Sequence, residues 1–178
     1  MSAQPANAHA ADQPALDMLH TCHARIGREC ASLRELAEQL HAGGCDEQAR
    51  QAAAKVVRYF DIAGRMHHDD EERDLFPRML AAARGALIGR MSVLIESMRD
   101  EHRQLDSGWS ALRPSLDAVA RGERSTLDPV LVRKFTLLYQ SHIAREEANV
   151  LPLAARILDA AQMGEIGAAM RARRDKPC

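Results

Sequence analysis

An eleven-residue pattern occurs twice in this chain. It reads His67-His68-Asp69-Asp70-Glu71-Glu72-Arg73-Asp74-Leu75-Phe76-Pro77, then His142-Ile143-Ala144-Arg145-Glu146-Glu147-Ala148-Asn149-Val150-Leu151-Pro152. Both copies keep the His, the Glu-Glu pair and a Pro preceded by apolar residues. On a helix, side chains at i and i+4 sit one above the other, about 5–6 Å apart at Cβ. Each His can therefore reach one metal centre together with the first Glu of its pair. The repeat extends further, because His23-x-x-Ile26 matches His102-x-x-Leu105. His23 precedes His67 by 44 residues and His102 precedes His142 by 40. Each half reads as a helical hairpin, with a single His on its first helix and His-x-x-x-Glu on its second. Folding the two hairpins about a pseudo-twofold axis would bring His23, His67, Glu71, His102, His142 and Glu146 to one level of the core.

The rest of the chain supplies the helices such hairpins need. A stripe of Leu16, Leu19, His23, Ile26, Cys30, Leu33, Ala37 and Leu40 predicts a first helix over 15–41, ended by Gly43-Gly44. Asp46 is placed to cap a second helix, which runs to the Phe76-Pro77 step or bends on to Ala83. A third helix is expected over 88–120, kinked or cut short by Pro114. Asp128-Pro129 starts a fourth, with a stripe of Leu131, Phe135, Leu138, His142, Glu146, Asn149 and Leu153. A short fifth helix is expected over 163–173, packed across the bundle end. No strand pattern of useful length is present, so the fold class is all-α, a helical bundle with short loops.

The chain has 178 residues, enough for one domain with a substantial core. Residues 15–178 are assigned to that domain, and residues 1–14 to a disordered tail that carries no secretory signal. A formal charge of −1 gives no general attraction to nucleic acid or anionic membrane, and no apolar run is long enough to span a bilayer. The four cysteines, Cys22, Cys30, Cys45 and Cys178, show no metal-knuckle or disulfide spacing, which makes a reducing cytoplasm the default location.

Four imidazoles and two carboxylates are borderline and hard ligands, suited to Fe, Mn or Zn. Two Glu from opposite hairpins are placed to bridge two ions. Six residues cannot fill two octahedral shells, so positions remain for oxo, hydroxo, water or O2. Without metal, two buried carboxylates would cost several kcal/mol or would take up protons.

The ordered set His…His-x-x-x-Glu-Glu-x-x-Leu-Phe-Pro…His…His-x-x-x-Glu-Glu, from about Leu16 to Pro152, resembles the hemerythrin-like HHE cation-binding domain family. The resemblance implies an up-down-up-down four-helix bundle with a non-haem di-iron centre, to which the residues themselves add the short additional C-terminal helix. Carried over by position, the metal ligands would be His23, His67, Glu71, His102, His142 and Glu146. The chain differs from oxygen-transport hemerythrins, which use five His, one Glu and one Asp. Helix three here offers one His, and the second bridge is Glu. That favours the broader bacterial family, linked to sensing of O2, NO or iron, to iron handling and to protection from oxidative stress.

Other polar residues have weaker claims. His20, one turn before His23, is a further candidate, as an extra ligand, a hydrogen-bonding neighbour of a ligand, or a boundary residue. His68 lies about 100° round the helix from His67 and reads as a surface or supporting group. Glu72 and Glu147 read as solvated partners of nearby Arg, and Asp69 and Asp70 as exposed. Tyr139, one turn before His142, borders the site or packs in the core.

Three functions follow from this reading. The preferred one is a di-iron protein that handles O2, NO or iron by sensing, storage or scavenging. The second is a di-iron enzyme acting on peroxide or NO, or a nitric-oxide-linked iron–sulfur repair factor. No acid/base residue stands out for turnover, and there is no room before Leu16 for the cysteine-bearing domain of such repair proteins. The third is a metal-free interaction bundle, which the His/Glu set opposes. A sensor would signal through a protein partner, with the segment Arg171 to Lys176 as the contact.

Overall fold

The computed structural model describes residues 14–175, and among them every regular element is helical. The tail expected at 1–14 lies outside the described residues up to residue 13, and Pro14 opens α1, Pro14–Gly43. Gly44 ends α1 in the left-handed region, φ +78°, and its N–H donates to the Leu40 carbonyl at 3.1 Å. Asp46 caps α2 by accepting from the Ala49 N–H at 2.7 Å. α2 spans 47–82, α3 is Leu87–Ala120, α4 spans 129–157 and α5 is Ala160–Arg174. Asp128 caps α4 through the N–H groups of Val130 and Leu131, and a reciprocal Asp159–Gln162 box caps α5.

α1 packs on α2 and α4, α3 packs on the same two helices, and α5 lies against α1 and α2. Buried apolar residues fall into two clusters. One includes Ile26, Leu33, Val56, Phe60, Leu112 and Phe135, and the other Leu19, Phe76, Met79, Ile95, Leu151 and Ile166. Along each long helix the candidate His and Glu positions sit between the two clusters, so the bundle carries a polar layer through its middle. α5 closes the second cluster with Met163, Ile166 and Met170. No described helix is long and apolar enough to cross a membrane.

Three local features refine the expected elements. Of the two ends expected for α2 the structure has the later, since the helix continues past Pro77 to Ala82. In both halves a widened π turn precedes the proline, Glu71–Leu75 in α2 and Glu146–Val150 in α4. The N–H of Phe76 donates to the Glu71 carbonyl, and that of Leu151 to the Glu146 carbonyl. A proline that follows has no N–H to give and would crowd the carbonyl four residues back. The widened turn absorbs both defects, and such turns favour functional sites. It also inserts a residue into the helical period. The buried face of α4 therefore runs Val132, Phe135, Tyr139, His142, Glu146, Val150 and Ala154, while Asn149 is exposed and Leu131 partly so. Pro114 does not end α3, which runs on to Ala120, because its ring is on the exposed face and the freed carbonyl meets solvent.

Candidate metal centre

The polar layer is built from the two hairpins as the repeat requires. His67, His142, Glu71 and Glu146 are fully buried, and His23 and His102 nearly so. All six side chains meet there. His23, His67, Glu71 and Glu146 offer ligand atoms that all lie within 4.8 Å of one another, and His102 and His142 form a second group with His68. Glu71 faces both groups, with Oε1 3.1 Å from His67 Nε2 and Oε2 3.1 Å from His102 Nε2. Glu146 does the same from the other hairpin, its Oε2 lying 3.0 Å from His23 Nε2 and 3.7 Å from His142 Nε2. Each carboxylate thus stands between a histidine of one hairpin and a histidine of the other.

The chemistry of these atoms tests whether a metal fits. Both Glu71 oxygens, Glu146 Oε1 and the Nε2 atoms of His67, His102 and His142 are buried without a hydrogen-bond partner. The 3.1 Å approaches to Glu71 are close enough for hydrogen bonds but misaligned for them. Native proteins leave few buried polar atoms unpaired. One bond does form in the layer, between His23 Nε2 and Glu146 Oε2 at 3.0 Å, and the other converging atoms do not bond one another, the arrangement expected of ligands around a cation. The donor set fits.

Burial prepares the imidazoles for this role. It lowers the His67 pKa well below the usual histidine value, and brings His102 to about 4 and His142 to about 3, so all three are neutral donors at pH 7. For His23 burial also lowers the pKa, but the carboxylates of Glu146 and Glu147 override it and leave it raised. Burial, reinforced by Glu146, pushes Glu71 well above the ordinary carboxylate range.

A ring of outer carboxylates orients the histidines. His23 Nδ1 donates to Glu147 at 3.0 Å, His102 Nδ1 to Glu72 at 2.6 Å and His142 Nδ1 to Glu101 at 3.0 Å. Such bonds fix the tautomer and turn Nε2 towards the middle of the layer. Glu72 and Glu147 therefore differ from the expected solvated Arg partners. The first Glu of each pair enters the layer, and the second holds the lone His of the opposite hairpin. The signal was in the repeat, since both copies double the Glu. The symmetry fails at one place. Glu101 precedes His102 and supports His142, whereas Cys22 precedes His23, and His67 Nδ1 has no partner among the described residues.

Other expectations also change. Asp70 is fully buried rather than exposed, held by Arg173 and by Arg174. Its partners lie on α5, about a hundred residues away, where no local pattern could show them. Asp69 does pair with Arg73 at its edge of the helix. His68 is buried, not at the surface. Its ring stacks on His102, centroids 4.1 Å apart and 14° from parallel. Two rings stacked face to face cannot both aim a nitrogen at one ion, so His68 walls the layer in this conformation. Tyr139 is buried beside it, with ring centroids 6.0 Å apart, and burial keeps its phenol protonated. His20 is about half exposed and reaches Glu147 at 3.4 Å, one step outside His23. Arg173 and Arg174 turn inward onto Asp70 and Asp74, so this part of the expected partner-contact segment is engaged within the chain. Lys176 lies outside the described residues.

Comparison with known proteins agrees with this geometry. The family model described as the hemerythrin HHE cation-binding domain matches residues 15–154. An uncharacterized protein of Haemophilus influenzae is 30% identical over 159 residues, which covers 89% of each chain.

Proposed function

Because the chain belongs to the hemerythrin HHE cation-binding domain family, we propose that it is a non-haem di-iron protein that binds O2, NO or iron, in sensing, storage or scavenging. The observation that carries this reading is the buried layer in which two carboxylates stand between two histidine pairs, with both Glu71 oxygens and the Nε2 atoms of His67, His102 and His142 unbonded and His23 Nε2 alone paired, with Glu146 Oε2. His23 and His67 would hold one ion and His102 and His142 the other, with Glu71 and Glu146 shared between them. The contact pattern of α1 to α4 and their short connections support the up-down-up-down order. Iron at such a centre supplies open positions and accessible oxidation states for a diatomic ligand. The chain's own residues do the rest. The outer carboxylates hold each Nε2 in place, the apolar clusters above and below exclude water, and buried imidazoles stay neutral. The test is the visible absorption of the ferrous protein under argon, then after addition of O2, NO or azide. New ligand-dependent bands support the proposal, and a spectrum unchanged by all three refutes it.

One observation favours the alternative of turnover on peroxide or NO. A pocket of about 210 Å³ opens beside the layer, lined by His68, Tyr139, Asp106 and Arg65. It places a proton-bearing phenol beside the His68 imidazole, which in turn stacks on His102. Catalytic consumption of peroxide or NO by the loaded protein, lost in His68→Ala, would establish this second reading.

A further inference from the structure

A second concave surface lies between α1, α2 and α5, away from the facing atoms of the metal layer. It is a cleft of about 400 Å³, within the roughly 300–1,000 Å³ of small-molecule sites. Tyr59, Ile62 and Met66 supply an apolar lining, and four cations surround it, Arg25, Lys55, Arg58 and Arg174, of which Lys55 is paired with Glu29 and Arg174 with Asp70. Against these stands one lining carboxylate, Glu29. Among the described residues neither Arg25 nor Arg58 has a carboxylate within 4.0 Å. Arg25 instead lies over the Tyr59 ring, 5.1 Å from its centroid, which holds the guanidinium at the cleft.

Unpaired arginines are ordinary on a protein surface. Here they share a cavity with a second anomaly. Glu29 has a side chain only 7% exposed, its Oε1 lies 3.2 Å from Lys55 Nζ, and its Oε2 is buried with no partner. A buried carboxylate oxygen lacking a donor calls for one from outside the chain. The cleft therefore asks for two things at once, anionic groups for Arg25 and Arg58, and a hydrogen-bond donor for Glu29.

We propose that this cleft binds a small zwitterion of net negative charge, with two carboxylates and one ammonium, an acidic peptide of about the size of glutathione. Its carboxylates meet the planar forks of Arg25 and Arg58, which match that group bidentately. Its ammonium draws the Glu29 carboxylate towards the cleft and donates to Oε2 there, and its aliphatic stem lies on Tyr59 and Met66. Cys22 lines the same cleft, with its Sγ accepting from Arg174 Nη2 at 3.4 Å. The thiol thus serves as a built-in reporter of occupancy.

The experiment uses the full chain, loaded with metal, and S-methylglutathione as the probe, so that no free thiol competes. Calorimetric titration should give one saturable site per chain. Tricarballylate, an anion without an ammonium, should bind at least about tenfold more weakly. Arg25→Ala with Arg58→Ala should weaken the probe at least about tenfold. Both residues are exposed, so folding is not at stake. Glu29→Gln should weaken the probe and leave tricarballylate unchanged. Bound probe should also slow alkylation of Cys22 by iodoacetamide, read by peptide mass spectrometry. Absence of saturable binding, binding indifferent to the arginine variant, or equal binding of the two probes would overturn the proposal.

Discussion

Replacing Glu72 by Ala removes the acceptor of the His102 Nδ1 hydrogen bond, a 2.6 Å contact from α2 to α3. Outer partners of metal-ligating histidines are typically worth 10–100-fold in metal affinity. Glu72 has a side chain 39% exposed, so water can replace part of the lost bond and the lower end applies. The expected loss is about tenfold, or ~1.4 kcal/mol, for the ion held by His102 and His142. Glu147→Ala should do the same for the other ion, because Glu147 holds His23 at 3.0 Å and is 43% exposed. Anaerobic ferrous titration against a competing chelator resolves the two steps. Each single variant should weaken one ion, and the double variant both, with losses that add as for independent sites. Metal-free stability should change by no more than about 0.5 kcal/mol, as expected of rim positions. Asp69→Ala is the control, since Asp69 pairs only with Arg73 among the described residues. If Glu72→Ala matched this control, or if both glutamates weakened the same ion, the crossed pairing of the hairpins would be wrong as a basis for metal binding.

Other outcomes follow from the same layer. Glu71→Gln should abolish binding of at least one ion yet raise the melting temperature of the metal-free protein near pH 7, since it removes a carboxyl forced to bind a proton in the fold. Acid should destabilise the metal-free protein. His102 and His142 titrate near 4 and 3 when folded but near 6.5 when unfolded, so their contribution is full above pH 6.5 and falls as pH drops towards those values. Each of these histidines should contribute a loss of ~2 kcal/mol by pH 5, opposed by Glu71 and His23, so denaturant titrations of the wild type beside His102→Gln and His142→Gln isolate it, and a pH dependence unchanged by both substitutions would refute the assignment. Replacing Arg173 and Arg174 together by Ala strands the buried Asp70. Unfolding should be easier by roughly 3–5 kcal/mol, with amide exchange fastest in α5. A stability loss under 1 kcal/mol would show that Asp70 is not charged there.

The six inward side chains were legible because burial and period agree. A polar residue that recurs on an apolar stripe, at matched spacing in two hairpins, has no reason to be there except a shared centre. The helix starts at Asp46 and Asp128 were legible for a similar reason, since capping chemistry is local. What escaped the sequence depended on contacts between distant segments or on a broken period. Asp70 reads as surface until α5 brings two arginines to it. Glu101 sits beside His102 in sequence but serves His142 across the helix interface. The π turn at Glu146–Val150 makes the buried face of α4 step by four from Glu146 to Val150 and again to Ala154, where a step of three to Asn149 fits the unbroken helical period equally well. His68 was misplaced because the rotation from His67 was measured on an isolated helix, whereas in the bundle α3 covers that flank.

The central claim is that two hairpins jointly hold two ions, and metal stoichiometry tests it most directly. Inductively coupled plasma mass spectrometry on protein isolated from its own cells, beside His67→Ala and His142→Ala, would count them. The account predicts about two irons per wild-type chain, with one ion weakened or lost in each variant, and a different one in each. Zinc in place of iron would contradict the iron chemistry. A folded protein with no metal, or with occupancy indifferent to both substitutions, would contradict the metal centre itself.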